Sequence, residues 1–196
     1  KRYINGATVR YVEYMSKIWE VEDEQEDAFH VDCGWTQIDT PATATITGLW
    51  HLEGETLIGY VDGMRHADVV VSNGTITLDA SYSIKTFGYS YPSDGQTLPL
   101  EGGAQDGSAQ TKTKRIHRVG FWLIDTLGLQ YGPDADSLTE ITFRQWGDSF
   151  GVATPLYTGV KRLRFEGDYD RLGQVYWRCD GPFPATVAAI TTQFDV

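Results

Sequence analysis

Cysteine is nearly absent from this chain of 196 residues, and the two that occur, Cys33 and Cys179, stand far apart. Two cysteines do not make a disulfide framework, and no CxxC or clustered Cys/His spacing marks a zinc site. Both are expected to be reduced, partly buried packing residues. Long apolar runs are missing too. None approaches the roughly 20 residues that a membrane-spanning helix needs, so no membrane partner is expected. No segment longer than about ten residues keeps a helical period; a short helix near residues 107–113 is the one exception. Basic residues are outnumbered, 16 Lys and Arg against 27 Asp and Glu, for a formal charge of −11. Such a chain repels phosphate backbones, so specific nucleic-acid binding is not expected. No GxxxxGK phosphate loop occurs, no recognisable nucleophile motif is present, and no cofactor is implied.

What the chain does have is glycine, 21 residues of it, with 41% hydrophobic and 13% aromatic residues. That composition supports a packed core built from short strands and tight turns. Residues 1–4, the Asn5-Gly6 dipeptide and residues 8–15 read as a β-hairpin, because Asn-Gly favours the type I′ turn that matches strand twist. Two strands alone are marginal, so the hairpin is expected to complete a sheet begun upstream. Lys1, already in a strand-like context, is read as a point within a longer polypeptide. Phe29, Val31, Cys33 and Trp35 alternate with His30, Asp32 and Gly34, the pattern of a half-buried strand.

Residues 43–78 hold candidate strands at 44–47, 56–61, 68–71 and 75–78, broken at Gly48, Gly54, Asp62-Gly63 and Asn73-Gly74. Strands this short suit a small closed barrel, since closure removes edges. Residues 90–110, with Pro92, Pro99 and several glycines, read as punctuation between domains. Candidate strands at 112–126, 138–144, 160–165, 174–179 and 186–193 then point to an antiparallel sandwich. The expected fold is all-β: residues 1–42 a hairpin and strand linked to an upstream region, 43–90 a small β-barrel, 91–110 a linker, and 111–196 a β-sandwich.

Four clusters carry candidate chemistry. Glu20, Glu22, Asp23, Glu24, Glu26 and Asp27 crowd into eight residues. They read as a solvated loop, since a calcium loop needs alternating ligands. His51 and Glu53 share one face of a strand or sit together in a turn. Acid–base work would need a positioned partner and a pocket, and a structural role is favoured. Lys112, Lys114, Arg115 and Arg118 surround His117. Alternation places Lys114 with Ile116 and Arg118, and Arg115 with His117 and Val119, dividing the charge between two faces. In an acidic chain these cations are expected to meet carboxylates of a neighbouring domain or subunit; a solvated face and contact with DNA phosphates are the alternatives. Asp168, Asp170 and Gly173 partly match a calcium loop, but Leu172 stands at position five and Cys179 at position twelve, so a hairpin loop is expected. Six tryptophans and 11 tyrosines suit a core, a protein interface or a sugar platform.

Taken in order, residues 10–13 (RYVE), 27–34 (DAFHVDCG), 46–57 (ITGLWHLEGETL), 61–63 (VDG), 72–76 (SNGTI), 98–101 (LPLE), 105–110 (QDGSAQ), 114–119 (KRIHRV) and 155–159 (PLYTG) resemble a known group. They look like the C-terminal part of tail proteins of tailed bacteriophages and prophages, similar to the nozzle or packaged-DNA-stabilisation proteins of short-tailed phages. The resemblance implies a β-rich, often propeller-like region upstream. It also implies a homo-oligomeric ring, typically sixfold in short tails, around the DNA channel. The implied partners are other tail proteins (adaptor, fibre or spike); the implied location is the virion tail, assembled in the bacterial cytoplasm; no enzymatic activity is implied. Residues 43–78 also resemble the small barrel called the first catalytic-cysteine half-domain in ubiquitin-activating enzymes. That block has no cysteine and nothing in the chain resembles an adenylation domain, so no activity carries over. The main alternative is a carbohydrate- or receptor-binding β-module of a tail fibre or polysaccharide-active enzyme; a third is a glycoside hydrolase with paired carboxylates.

Overall fold

The computed structural model describes residues 2–4, 6–15, 19–20, 23–102, 108–109 and 112–195. Of the helix expected near residues 107–113, residues 107, 110 and 111 lie outside them, and residues 108, 109, 112 and 113 are not helical. Strand makes up 53% of the described residues and helix 3%, so the all-β class holds; the helical part among them is two single 3-10 turns, Gln25–Asp27 and Trp50–Leu52. The chain divides into two compact units. One comprises Lys1–Tyr91, Trp146–Thr154 and Gly181–Phe183; the other Pro92–Gln145, Pro155–Asp180 and Pro184–Val196.

In the first unit β1 (Arg2–Ile4) and β2 (Ala7–Val9) form the expected antiparallel hairpin; Asn5 at its tip lies outside the described residues. β3 (Asp32–Thr47), β4 (Thr56–Val61), β5 (Met64–Val70) and β6 (Thr75–Tyr89) make one antiparallel sheet in the order β3-β6-β4-β5. The small barrel expected over residues 43–90 is therefore not closed: β3 and β5 end the order without pairing. The short strands read at 44–47 and 75–78 are the ends of strands 16 and 15 residues long. Register on β6 shifts between Asp32 and Trp35, between Ile38 and Thr43, and between Thr43 and Thr45. Each irregularity bends the strand, so the sheet curves over its core without closing. Ile46, Leu49, Leu52, Leu57, Val61 and Phe87 are at the centre of that core.

The glycine-punctuated stretch from Gly48 to Gly54 closes one end of it. Leu49 and Leu52 are fully buried. Glu53 reaches back to the Asn73-Gly74 turn, where its carboxylate accepts the amides of Asn73 (2.8 Å) and Gly74 (2.7 Å). Both turn residues have positive φ, 54° and 64°, and a Cβ on Gly74 would meet the Trp50 indole at 2.5 Å. His51 Nε2 donates to the Cys33 carbonyl at 3.0 Å. The His51–Glu53 pair is thus structural, each residue tied to a different backbone segment.

Within β3 the bulge between Ile38 and Thr43 is held from inside by Lys85. Pro41 lacks an N–H and cannot keep a regular ladder there. Lys85, on β6, is fully buried. Its Nζ donates to Asp39 Oδ2 (2.5 Å), Thr43 Oγ1 (2.6 Å) and the Thr43 carbonyl (3.2 Å), which uses all three donors of an ammonium. Asp39 also receives Gln37 Nε2 at 2.7 Å. The Lys85 bond first, then those from Thr43 and Gln37, hold the Asp39 carboxyl down at about 2.

The second unit contains β7 (Ser93–Gln96), β8 (Arg115–Thr126), β9 (Leu129–Gly132), β10 (Thr139–Glu140), β11 (Tyr157–Arg164), β12 (Tyr176–Cys179) and β13 (Thr186–Asp195). They form two sheets, β10-β9-β12-β7 and β11-β8-β13, in a sandwich-like arrangement. Phe121 of β8 meets Tyr131 of β9 edge-on, ring centroids 5.8 Å apart, and Tyr131 Oη donates to the Arg164 carbonyl at 2.7 Å. Strand β7 falls in the stretch that reads as a linker. Its sequence, Ser-Asp-Gly-Gln, carries no β-prone residue. It is held instead from β12: Trp177 covers Gly95, where a Cβ would come within 2.0 Å of the ring, and Arg178 grips Asp94 through Nε (2.7 Å) and Nη2 (2.9 Å). Arg178 first, then the Tyr176 hydroxyl, hold Asp94 at about 2. Neither Cys33 nor Cys179 is in a disulfide.

Two predictions follow from the ionic anchors. Lys85→Ala should lower the unfolding free energy by about 3 kcal/mol, the scale of a large core truncation, in urea denaturation followed by fluorescence. Lys85→Met, which keeps the stem and removes the charge, should cost less. Asp39 and Asp94 are depressed from 3.8 to about 2. A depressed carboxyl adds stability above its unfolded pKa and loses it as pH falls through the folded value. Thermal melts should therefore decline between about pH 4 and pH 2, and the slope should flatten in an Asp39→Asn, Asp94→Asn double variant.

Candidate contact surface

Of the cations around His117, Arg115 and Arg118 sit on β8, where the ladder has a one-residue irregularity. Gln193 of β13 pairs with Arg118 and the next residue, Phe194, pairs with Ile116; His117 is the extra residue of a β-bulge. A bulge shifts the phase of the side chains on either side of it. Before it Lys114 and Ile116 point inward; after it Val119, Phe121 and Leu123 do. Arg115 and Arg118, which plain alternation assigns to opposite faces, are both exposed.

Strand β11 extends this face. Arg164 pairs with Arg118, Arg162 with Gly120, and Val160 with Trp122. Arg162 and Arg164 are exposed, as are Trp122 at 56% and Val160 at 46%. The centre is flat, because Thr191 of β13 lies over Gly120, where a Cβ would meet its Oγ1 at 2.5 Å. Arg118 and Arg164 stand directly across from each other. Like charges in that position cost up to about 1 kcal/mol. No hydrogen bond or ion pair of the Arg118, Arg162 or Arg164 guanidinium forms among the described residues.

At one end of the face a cleft of about 490 Å³ is lined by Arg115, His117, Arg164, Phe165, Glu166, Gly167 and Asp168. His117 Nε2 faces Asp195 Oδ2 at 2.9 Å, the Phe165 amide donates to the His117 carbonyl at 2.8 Å, and Arg115 lies over the Tyr169 ring at 5.7 Å. Beneath the cleft, burial first and the Glu166 carboxylate second raise the Tyr131 phenol above its ordinary value, so it stays a donor to Arg164. The cleft mixes both signs of charge and brings no nucleophile to the His117–Asp195 pair.

Of the four cations singled out from sequence, Arg115 and Arg118 belong to this surface. Lys112 is half-buried. Lys114 is 1% exposed and is a correction: its Nζ donates to the Arg171 carbonyl at 2.6 Å, inside the second unit, so it presents nothing to a neighbour. Its backbone pairs with Asp170 (2.7 and 2.8 Å). Asp170 in turn accepts the amides of Arg171, Leu172 and Gly173; the Gly173 amide above all keeps its carboxyl below the usual range. Residues 168–173 are a self-capped turn, and among the described residues no group of three or more His, Cys, Asp and Glu could hold a metal ion. Arg162 and Arg164 escaped the sequence reading, although their alternation with Lys161 and Leu163 places them on one strand face.

Reversing both Arg118 and Arg164 to Glu exchanges one like-charge cross-strand pair for another and should leave stability unchanged; the single Arg118→Glu variant, which creates an opposite-charge pair, should gain up to about 1 kcal/mol in urea denaturation. No protein-family model matches the chain, and no curated protein matches it.

Proposed function

We propose that this chain is a non-enzymatic structural component of a phage tail, a nozzle, tail-tip or tube-associated ring protein. It joins copies of itself and neighbouring tail proteins (adaptor, fibre or spike) in the virion, after assembly in the bacterial cytoplasm. The observation that carries the reading is the exposed arginine face on β8 and β11, where the Arg118, Arg162 and Arg164 guanidiniums form no hydrogen bond or ion pair among the described residues, in a chain whose net charge is −11. Ionic surfaces of that kind give register and specificity to protein contacts. The ordered resemblance to tail proteins supplies the context, and the all-β, sandwich-like build suits it. An assembled ring surrounds DNA without reading its sequence.

A second reading, a carbohydrate- or receptor-binding module, is favoured by one feature of the first unit. Trp35 and Trp50 are 48% and 62% exposed and rest on neighbouring turns, Trp35 against Gly48 and Trp50 against Gly74. Aromatic rings on a fixed backbone suit stacking against sugars as well as protein contact.

In a phage that encodes the chain, an Arg118→Glu, Arg164→Glu variant is expected to lower infectious titre at least tenfold while the purified variant keeps its melting temperature. Normal titre would sink the role of this face. Saturable binding to bacterial surface polysaccharide on a glycan array, lost in Trp50→Ala, would instead select the second reading.

A further inference from the structure

The outward face of the β11-β8-β13 sheet has the composition of an interface centre. Arginine and tryptophan are present, lysine and glutamate are not, and the middle is flat at Gly120 and Thr191. Arg and Trp are the residues that most often dominate binding energy at protein contacts, while Lys and Glu are depleted there. Asp195, across from Arg115 on β13, is already engaged by His117, and Glu166 and Asp168 stand only in the cleft at one end. Whatever covers this face must bring carboxylates or phosphates.

The first unit carries a matching surface. Glu24, Glu26 and Asp27 are exposed, and no ion pair engages them among the described residues. They do not sit on a loose loop. Gln25 between them donates through Nε2 to the carbonyls of Gly63 (3.1 Å) and Thr154 (2.9 Å). Tyr60 Oη donates to the Gln25 carbonyl at 2.9 Å, Trp19 Nε1 donates to the Glu24 carbonyl at 3.1 Å, and Ala28 is buried. Three carboxylates are thus presented on a pinned 3-10 turn, so little ordering cost remains when a partner binds them.

We infer that the face bearing Arg118, Arg162 and Arg164 is one half of a head-to-tail contact between copies of this chain, and that Glu24, Glu26 and Asp27 of the next copy are the other half. The inference rests on the assembly reading and names its partner. Two different patches meeting in this way form a heterologous contact, which closes into a ring or runs on as a filament. A nucleic-acid occupant is disfavoured by the charge of −11, which opposes approach of a phosphate backbone.

The test is sedimentation of the 196-residue chain up to about 1 mM, where even millimolar contacts populate the pair, at low and high salt. The wild type should exceed monomer mass at low salt and return to monomer at about 1 M salt, where the Debye length is about 3 Å. Arg118→Glu, Arg162→Glu, Arg164→Glu should stay monomeric, as should Glu24→Lys, Glu26→Lys, Asp27→Lys. Mixed in equal amounts, the two variants should associate again, because each swapped patch then meets its opposite. If a reversal variant fails to melt like the wild type, Arg118→Gln, Arg162→Gln, Arg164→Gln replaces it and should weaken association at least tenfold. A wild type that stays monomeric, an acidic-patch variant that associates unchanged, or a mixture that stays monomeric overturns the inference. So does wild-type binding of a duplex or single-stranded oligonucleotide that the arginine variant loses. The tail reading fails separately, if antibody to the chain does not decorate the tails of virions that encode it.

Discussion

A lysine ammonium taken out of water has to place three N–H donors on protein oxygens, and Lys85 does so at the widest of the three irregularities in the longest strand of the first unit, between Ile38 and Thr43. The residues from Asp39 to Ala42 loop away from β6 because Pro41 cannot donate. Left open, that gap would expose the sheet interior and strand the Thr43 carbonyl. The Lys85 amine fills it from the neighbouring strand, and the Asp39 carboxylate comes in to neutralise it. Taking an ion from water costs several kcal/mol before its partners compensate, so the bulge, the threonine and the aspartate are specified together. Above and below this point β3 is free to curve, and the core of Leu57, Val61 and Phe87 lies inside the curve.

The second unit repeats the device with different parts. Lys114, equally dry, spends its amine on the Arg171 carbonyl, and its backbone pairs with Asp170, whose carboxylate caps the turn that follows. In both units a buried cation secures an irregular segment that hydrophobic packing alone would leave loose. The two arginines that follow Lys114 on β8 have the opposite fate. Arg115 and Arg118 are turned outward, and the difference is set by one-residue shifts in strand phase.

That is also where sequence reading reaches its limit. The all-β class was legible, because turn dipeptides such as Asn5-Gly6, Asp62-Gly63 and Asn73-Gly74 carry their geometry locally. The structural role of His51 and Glu53 was legible from their lack of a partner, though the partners they do have, Cys33 and the turn at Gly74, are remote. The open sheet was not, since nothing local distinguishes a strand that ends at Gly48 from one that began sixteen residues earlier. Strand β7 was hidden because its stabilising groups, Trp177 and Arg178, lie on another strand. The arginine face was half visible. Alternation is a rule of period two, and a bulge changes its phase without leaving a mark in composition. Arg118 was therefore placed with Lys114, which is buried, when its true neighbour is Arg164.

The bulge at His117 has a consequence for what this residue contributes. With His117 removed, Ile116 and Arg118 would stand next to each other in sequence as they already do in the ladder, opposite Phe194 and Gln193. Ile116, Val119 and Phe121 would keep their inward places, and Arg115 and Arg118 their outward ones. The core therefore does not require this position, and neither does the sidedness of the charges. What the extra residue supplies is local twist, the carbonyl that receives Phe165, and the imidazole that meets Asp195 at the wall of the cleft. Its contribution is one of shape, and among the residues of β8 it is the one whose presence is explained by the surface and not by the interior.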